Sequence, residues 1–361
     1  MPRRAPRAPI APCLLSLLTL LTLPTLSSAE TARVANWRDT LQREVERIDR
    51  ETPGALGVYV KRMNGGETFS YGADQRWYLG STAKVPIAIA VLQQVDAKKL
   101  RLSDTMKLEP TDRIEAGQLV WRQPGTPLTI DFLLTRMLGD SDNTAANMLV
   151  RAVGEEQLNR SAGAALGKDG FERLTSLAQV RYDVYAEIHP DARKLSNDQL
   201  VRIASSPMGP QRVDAVRRAL NLKTADLRAK TIDEAYARYY KTGANAATLV
   251  AYGDMLEKLV RGELLAPAST ERMYKAMKFD IYTGYRLQAG FPRSAHFIHK
   301  TGTQYQRACH MGVIHPENRG ADGIVVAACT ADLDEQKAAG KVFERLGRVI
   351  NQTLITPPAK S

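Results

Sequence analysis

Ser81-Thr82-Ala83-Lys84 sets a hydroxyl and an ammonium three residues apart, and on a helix that spacing brings both onto one face. A serine hydroxyl is a weak nucleophile and needs a base beside it. A lysine can be that base only as the neutral amine, the form that burial and a second nearby cation favour. The pair therefore describes covalent catalysis by an activated serine. A Ser-x-x-Lys alone arises by chance about once in a chain of this length, so its meaning depends on its company. Two further triplets supply it: Ser141-Asp142-Asn143, sixty residues on, and Lys300-Thr301-Gly302, after the strand-like Phe297-Ile298-His299.

The elements that must position these triplets can be read from periodicity and turn chemistry. Trp37 to Arg50 carries Leu41, Val45 and Ile48 at helical spacing and stops at Pro53-Gly54. Gly57 to Arg62 and Glu67 to Tyr71 form a hairpin about Asn64-Gly65-Gly66, because Asn-Gly supplies the positive φ of a tight turn. Ala83 to Lys99 is helical, with Pro86 tolerated in its first turn and Ser81 at its mouth. Leu128 to Leu138 and Thr144 to Val153 are helices parted by Gly139 to Asn143; Ala247 to Leu264 and Pro267 to Met277 are two more. His296 to Ile298, Met311 to Ile314 and Gly323 to Cys329 read as strands, and Leu333 to Leu354 is a closing helix. Strands at both chain ends with helices between them imply one sheet built from both termini and a helical lobe from the middle.

Composition narrows the field. With 361 residues, 44% hydrophobic and 25% charged, the chain has the average make-up of a globular protein rather than of a disordered or polytopic membrane one. Arg3, Arg4 and Arg7, the apolar Cys13 to Leu26 and then Ser27-Ser28-Ala29 describe an export signal over residues 1–29, too short and too Pro-broken to span a bilayer. Three of the 50 basic side chains go with it, so against 39 acidic ones the mature chain keeps a net charge of +8. No zinc-finger, basic-zipper or RNA-binding pattern accompanies that charge, so no nucleic-acid partner is expected. Gly-x-Ser-x-Gly is absent, since Ala83 stands where its second glycine belongs. His296 and His299 fall on opposite faces of a strand and make a poor metal pair. Neither metal nor cofactor is expected.

The three triplets together resemble the class A β-lactamases and penicillin-binding proteins. The likeness extends to Ser141-Asp142-Asn143-Thr144-Ala145-Ala146-Asn147 and to Gly262-Glu263-Leu264-Leu265, and covers most of residues 35 to 355. It implies a two-lobed α/β (α+β) fold: an antiparallel sheet of about five strands flanked by helices, and a helical lobe over about 81–265, within one unit spanning 30–361. It implies an exported serine hydrolase acting on β-lactams or acyl-D-Ala-D-Ala-like molecules. Ser81 would be the nucleophile, Lys84 its base and Ser141 the relay to the leaving nitrogen. Lys300 and Thr301 would bind the substrate carboxylate, Asn143 the acylamide side chain, and Gly302 would keep the strand accessible. Backbone N–H groups of Ser81 and Thr303 would form the oxyanion hole. Lys241-Thr242-Gly243 repeats the last triplet but lies between helices, so Lys241 is assigned to the surface. The alternatives are a D,D-peptidase or esterase and a non-catalytic muropeptide or β-lactam binder.

The chain departs from that family in three places. Class A enzymes carry a glutamate on a loop after the Ser-Asp-Asn helix to activate the deacylating water. In the corresponding stretch, Arg181 to Asp191, Tyr185 takes that position, and Glu187 two residues on is the other candidate base. Residues 192–243 are an insertion with eleven basic and five acidic side chains and an apolar stripe of Val213, Val216 and Leu220; they form either a helical flap on the lobe or a surface for a partner such as the cell wall. Cys309 stands near the family's carboxylate-binding arginine, with Arg307 as the substitute. Cys309 and Cys329 are the cysteines that survive signal removal, and counting outward along the expected hairpin sets them opposite each other, close enough to bridge in an oxidising compartment.

Overall fold

Trp37, Leu41, Val45 and Ile48 are all buried on helix α1 (Ser28–Arg50), the side of the helix that meets the sheet. The computed structural model describes residues 28–277 and 284–356. Of the expected export signal only the last two residues lie among them. After α1 come β1 (Ala55–Arg62) and β2 (Thr68–Tyr71), then the short β3 (Arg76–Tyr78) and helix α2 (Lys84–Asp96). Strands β4 (Thr105–Lys107) and β5 (Pro127–Thr129) pair ahead of α3 (Ile130–Gly139), α4 (Asn143–Val153), α5 (Glu155–Leu166) and α6 (Leu177–Ile188). Helices α7 (Asn197–Ala204), α8 (Pro210–Ala219) and α9 (Ile232–Tyr240) follow, then β6 (Ala246–Thr248), which pairs with β3, then α10 (Leu249–Arg261) and α11 (Pro267–Ala276). The chain closes through β7 (Phe297–Gln304), β8 (Arg307–Ile314), β9 (Ile324–Ala331) and α12 (Lys337–Ile350).

Both chain ends build one antiparallel sheet in the order β2-β1-β9-β8-β7, as expected, with β7 on its edge. Alternation along β9 shows why it holds the centre. Val326 and Ala328 pack beneath α1 and α12, while Val325, Ala327 and Cys329 face the helices of the other layer. That second core joins the sheet to α2, α3, α4, α5 and α10. Among the described residues no helix is long and apolar enough to cross a membrane.

Residues 192–243 pack inward. Val213 and Val216 join Val184, Tyr185, Ile188, Tyr236 and Tyr239 in a third core between α6, α8 and α9. Arg212 is buried with them and donates to Tyr185 Oη and Ala204 O, whereas Arg217 and Arg218 pair with Asp214. The stripe is thus the inner face of a helical flap.

Cys309 lies opposite Cys329 across β8 and β9, with Cα atoms 4.1 Å apart, and the two form a disulfide. Closing a loop of this size stabilises a fold by about 3 kcal/mol through the unfolded state. Thiol titration of the unreduced, denatured protein should find neither cysteine reactive, and reduction should lower Tm; two free thiols from this pair would rule the bridge out.

Candidate active site

Gly80 is where the first motif meets the edge strand. Its φ is +53°, and a Cβ there would lie 2.8 Å from Thr303 N, so glycine is required for the turn to approach β7. The 3₁₀ turn Gly80–Ala83 carries Ser81 and runs into α2 at Lys84. Thr82 Oγ1 donates to Leu79 O at 2.7 Å, and Tyr252 Oη donates to Thr82 O at 2.9 Å, which pins the turn from both sides.

The second motif is held by Asp142. Its carboxylate caps α4 by accepting from Ala145 N and also accepts from Leu119 N, both at 2.9 Å. Ser141 before it takes φ +58°, a left-handed conformation costly for a residue with a Cβ and of a kind that clusters at functional sites. That twist presents both its carbonyl and its hydroxyl to Lys84.

Lys84 Nζ lies 3.0 Å from Ser81 Oγ, 3.2 Å from Ser141 Oγ, 2.6 Å from Ser141 O and 2.6 Å from Asn143 Oδ1. Lys300 Nζ approaches Ser141 Oγ from the other side at 3.0 Å. Two buried amines therefore share one hydroxyl. Burial, then the Lys300 charge, hold Lys84 well below the ordinary lysine range, with Asp142 pulling the other way. Burial, then the Arg286 guanidinium, bring Lys300 down to about 7.

A residue with no sequence signal organises the strand wall. Arg286 is buried, donates through Nη1 to Gly302 O and Cys309 O, and through Nη2 to Thr303 Oγ1 and Glu335 O. It follows residues 278–283, which lie outside the described residues, and its reach is purely tertiary. His299 and His310 pair behind Lys300, Nε2 of His310 lying 2.9 Å from Nδ1 of His299, while His296 is half-exposed beside Glu317. Among the described residues no group of three or more His, Cys, Asp or Glu side chains could hold a metal.

The motifs open on a cavity of about 400 Å³ lined by Ser81, Ser141, Asn143, Thr301 and Thr303, with Leu177 and Arg181 on the helical wall. Three expectations need correction. Arg181 to Asp191 is not a loop: it is the last two turns of α6 followed by a 3₁₀ turn, capped upstream by Ser176 accepting from Gln179 N. Tyr185 is accordingly buried in the third core, and Glu187, off the helix face that carries Leu177 and Arg181, does not line the cavity. Arg307 does not line it either; it pairs with Asp332 and lies over the Tyr240 ring, in a separate cavity on the far side of Tyr78. Lys241 is exposed beside that second cavity, as assigned. The wall positions that α6 does offer are Leu177 and Arg181, and the Leu177 N–H donates to Asn147 Oδ1 at 2.8 Å.

Known proteins share this chain's family and fold. The model of the beta-lactamase enzyme family matches residues 40–354. Beta-lactamase SME-1 of Serratia marcescens is 29% identical over 149 residues, 41% of this chain and 48% of that protein, so the chain spans about half the length of that relative. A beta-lactamase of Rhodobacter capsulatus is 24% identical over 86% of this chain and 87% of its own. Among solved structures, a leucine-to-glutamate mutant of PBP-A, captured as an acyl-enzyme complex with penicillin G, superposes with a TM-score of 0.64 over 87% of this chain and 95% of that one. At 19% identity the last likeness speaks for the fold.

Proposed function

The chain belongs to the beta-lactamase enzyme family, and from that premise we propose that it is an exported serine hydrolase acylated at Ser81 by β-lactams, which it releases slowly. The observation that carries this reading is Lys84 Nζ within hydrogen-bond reach of both Ser81 Oγ and Ser141 Oγ. Neutral Lys84 takes the Ser81 proton as Oγ bonds to the lactam carbonyl carbon. As the C–N bond breaks, Ser141 gives its hydroxyl proton to the nitrogen and takes in its place the proton that Lys84 removed from Ser81, so Lys84 ends neutral and Lys300 keeps its charge. The Ser81 and Thr303 N–H groups steady the oxyanion across the gap that Gly80 leaves, while Lys300, Thr301 and Thr303 take the substrate carboxylate. Mass spectrometry after incubation with benzylpenicillin tests the reading: an adduct on Ser81 supports it, and an unmodified protein overturns it.

A second reading, a penicillin-binding peptidase or a binder of muropeptides, is favoured by Leu177. An apolar side chain faces the acyl site where a water-activating base would stand, so the acyl-enzyme should outlive the acylation step. Export is supported by Arg3, Arg4 and Arg7 ahead of the apolar stretch Cys13 to Leu26. Contact of the basic 192–243 flap with the cell wall would use its outer face, since Val213 and Val216 are buried.

The two lysines set the pH dependence of acylation. Lys84 must be neutral to act as a base, whereas Lys300 must be protonated to hold a carboxylate. With Lys300 brought down to about 7 by burial and Arg286, acylation efficiency should decline above that pH, by about tenfold per unit at the steepest. Lys300→Arg, which cannot lose its charge, should remove the decline. A rate by benzylpenicillin that stays level to about pH 9 in the native protein would count against the assignment.

A further inference from the structure

The wall opposite the two lysines carries a cation that the chemistry above does not use. Arg181, one helical turn beyond Leu177, donates through Nε to Glu115 and through Nη1 to Tyr236 Oη at 2.8 Å. Tyr236 Oη in turn donates to Gln304 Oε1 at 3.0 Å, tying the fork to the end of β7. Nη2 makes no hydrogen bond among the described residues and Arg181 lines the cavity, while Glu115 Oε2 is buried without a partner. The fork is thus fixed by two of its nitrogens and offers the third to whatever fills the site. Its place relative to a substrate follows from Asn143, whose Nδ2 donates to Glu115 O at 2.8 Å while its Oδ1 accepts from Lys84. Arg181, Glu115 and Asn143 therefore form one chain of contacts on the acyl side of the cavity. The remaining charge on that wall, Asp140, is committed to Arg136 at 2.5 Å.

We propose that Arg181 is a second carboxylate subsite, so that preferred substrates carry a carboxylate on the acyl side as well as the one held by Lys300 and Thr301. This rests on the acylation reading and adds the substrate class: dicarboxylate β-lactams or acidic acyl peptides. The glutamate behind Arg181 offsets much of its net charge. What reaches the cavity is a directed N–H on a cation, which pairs with a carboxylate more strongly than with a neutral acceptor.

The test compares carboxybenzylpenicillin with benzylpenicillin, which share a leaving side and differ by one carboxylate on the side-chain carbon next to the amide carbonyl. Binding is measured by calorimetry on Ser81→Ala, so that no covalent step enters. The expected result is about tenfold tighter binding of the dicarboxylate. Arg181→Gln alone would leave Glu115 buried and unpaired, so it is combined with Glu115→Gln, and the preference should fall to near parity. Arg181→Lys keeps the pair but lacks the fork; it should lose most of the preference and serves if the double change fails to fold. Equal binding of both penicillins by Ser81→Ala overturns the subsite and leaves the acylation reading standing, as does a preference that survives in the Arg181 variants. Binding of neither penicillin overturns both.

Discussion

Replacing Ser81 by alanine is expected to abolish the adduct with benzylpenicillin, lowering acylation by on the order of 10⁴-fold or more. The Ser81 hydroxyl lies 3.0 Å from Lys84 Nζ and faces a cavity that also holds Thr301 and Thr303. Ser141, the other hydroxyl within reach, is hemmed by both lysines and set behind a left-handed backbone. Loss of Ser81 Oγ leaves Lys84 three further acceptors, Ser141 O, Ser141 Oγ and Asn143 Oδ1, so no buried amine is orphaned. Stability should change by less than about 1 kcal/mol, and an unchanged Tm would separate lost chemistry from lost fold. An adduct of undiminished yield on Ser81→Ala would remove Ser81 from the mechanism.

The residues that gave themselves away in the sequence did so through local geometry. Ser81 and Lys84 are three apart because a helical turn must bring them together, and the distance between them follows from that spacing. Cys309 and Cys329 could be matched by counting because two antiparallel strands with a short connection admit few registers. Arg181 to Ile188 departs from the expected loop for the opposite reason: its likeness to the family's loop is weaker than the helix signals of its own residues. Ser176-Leu177-Ala178-Gln179 is a helix-start pattern, and Val180, Val184 and Ile188 continue it at helical spacing. Read on those terms, Tyr185 and Glu187 become helix positions, and the cavity falls to Leu177 and Arg181. Arg286 and Glu115 carried no such signal, since each acts through backbone or side chains brought near only by the closed fold.

That register leads to the sharpest test of slow release. Asn147 on α4 accepts from Leu177 N at 2.8 Å and from Ala178 N at 3.3 Å, which fixes the first turn of α6 against the helix that carries Asn143. Residue 177 thereby lines the same cavity as Ser81, and an apolar side chain there gives water no base. Asp140 on the cavity wall pairs with Arg136, and Glu115, which does not line the cavity, pairs with Arg181 through one oxygen while the other is buried without a partner. Leu177→Glu should supply the missing group and accelerate deacylation by roughly 10²–10⁴-fold, the range of a positioned general base. A carboxylate in the first turn of a helix is also favoured by the helix dipole, and Leu177 is only half-buried, so the fold should tolerate the change. The control is Leu177→Gln, equal in size and without a base. Adduct lifetime followed by intact mass, together with nitrocefin turnover, reads the outcome: a short-lived adduct in the glutamate variant alone is expected. Equal lifetimes in both variants would mean that residue 177 does not face the acyl carbonyl. Rapid nitrocefin turnover by the native protein that collapses in Glu187→Gln would instead make Glu187 the base, reached by a movement of α6.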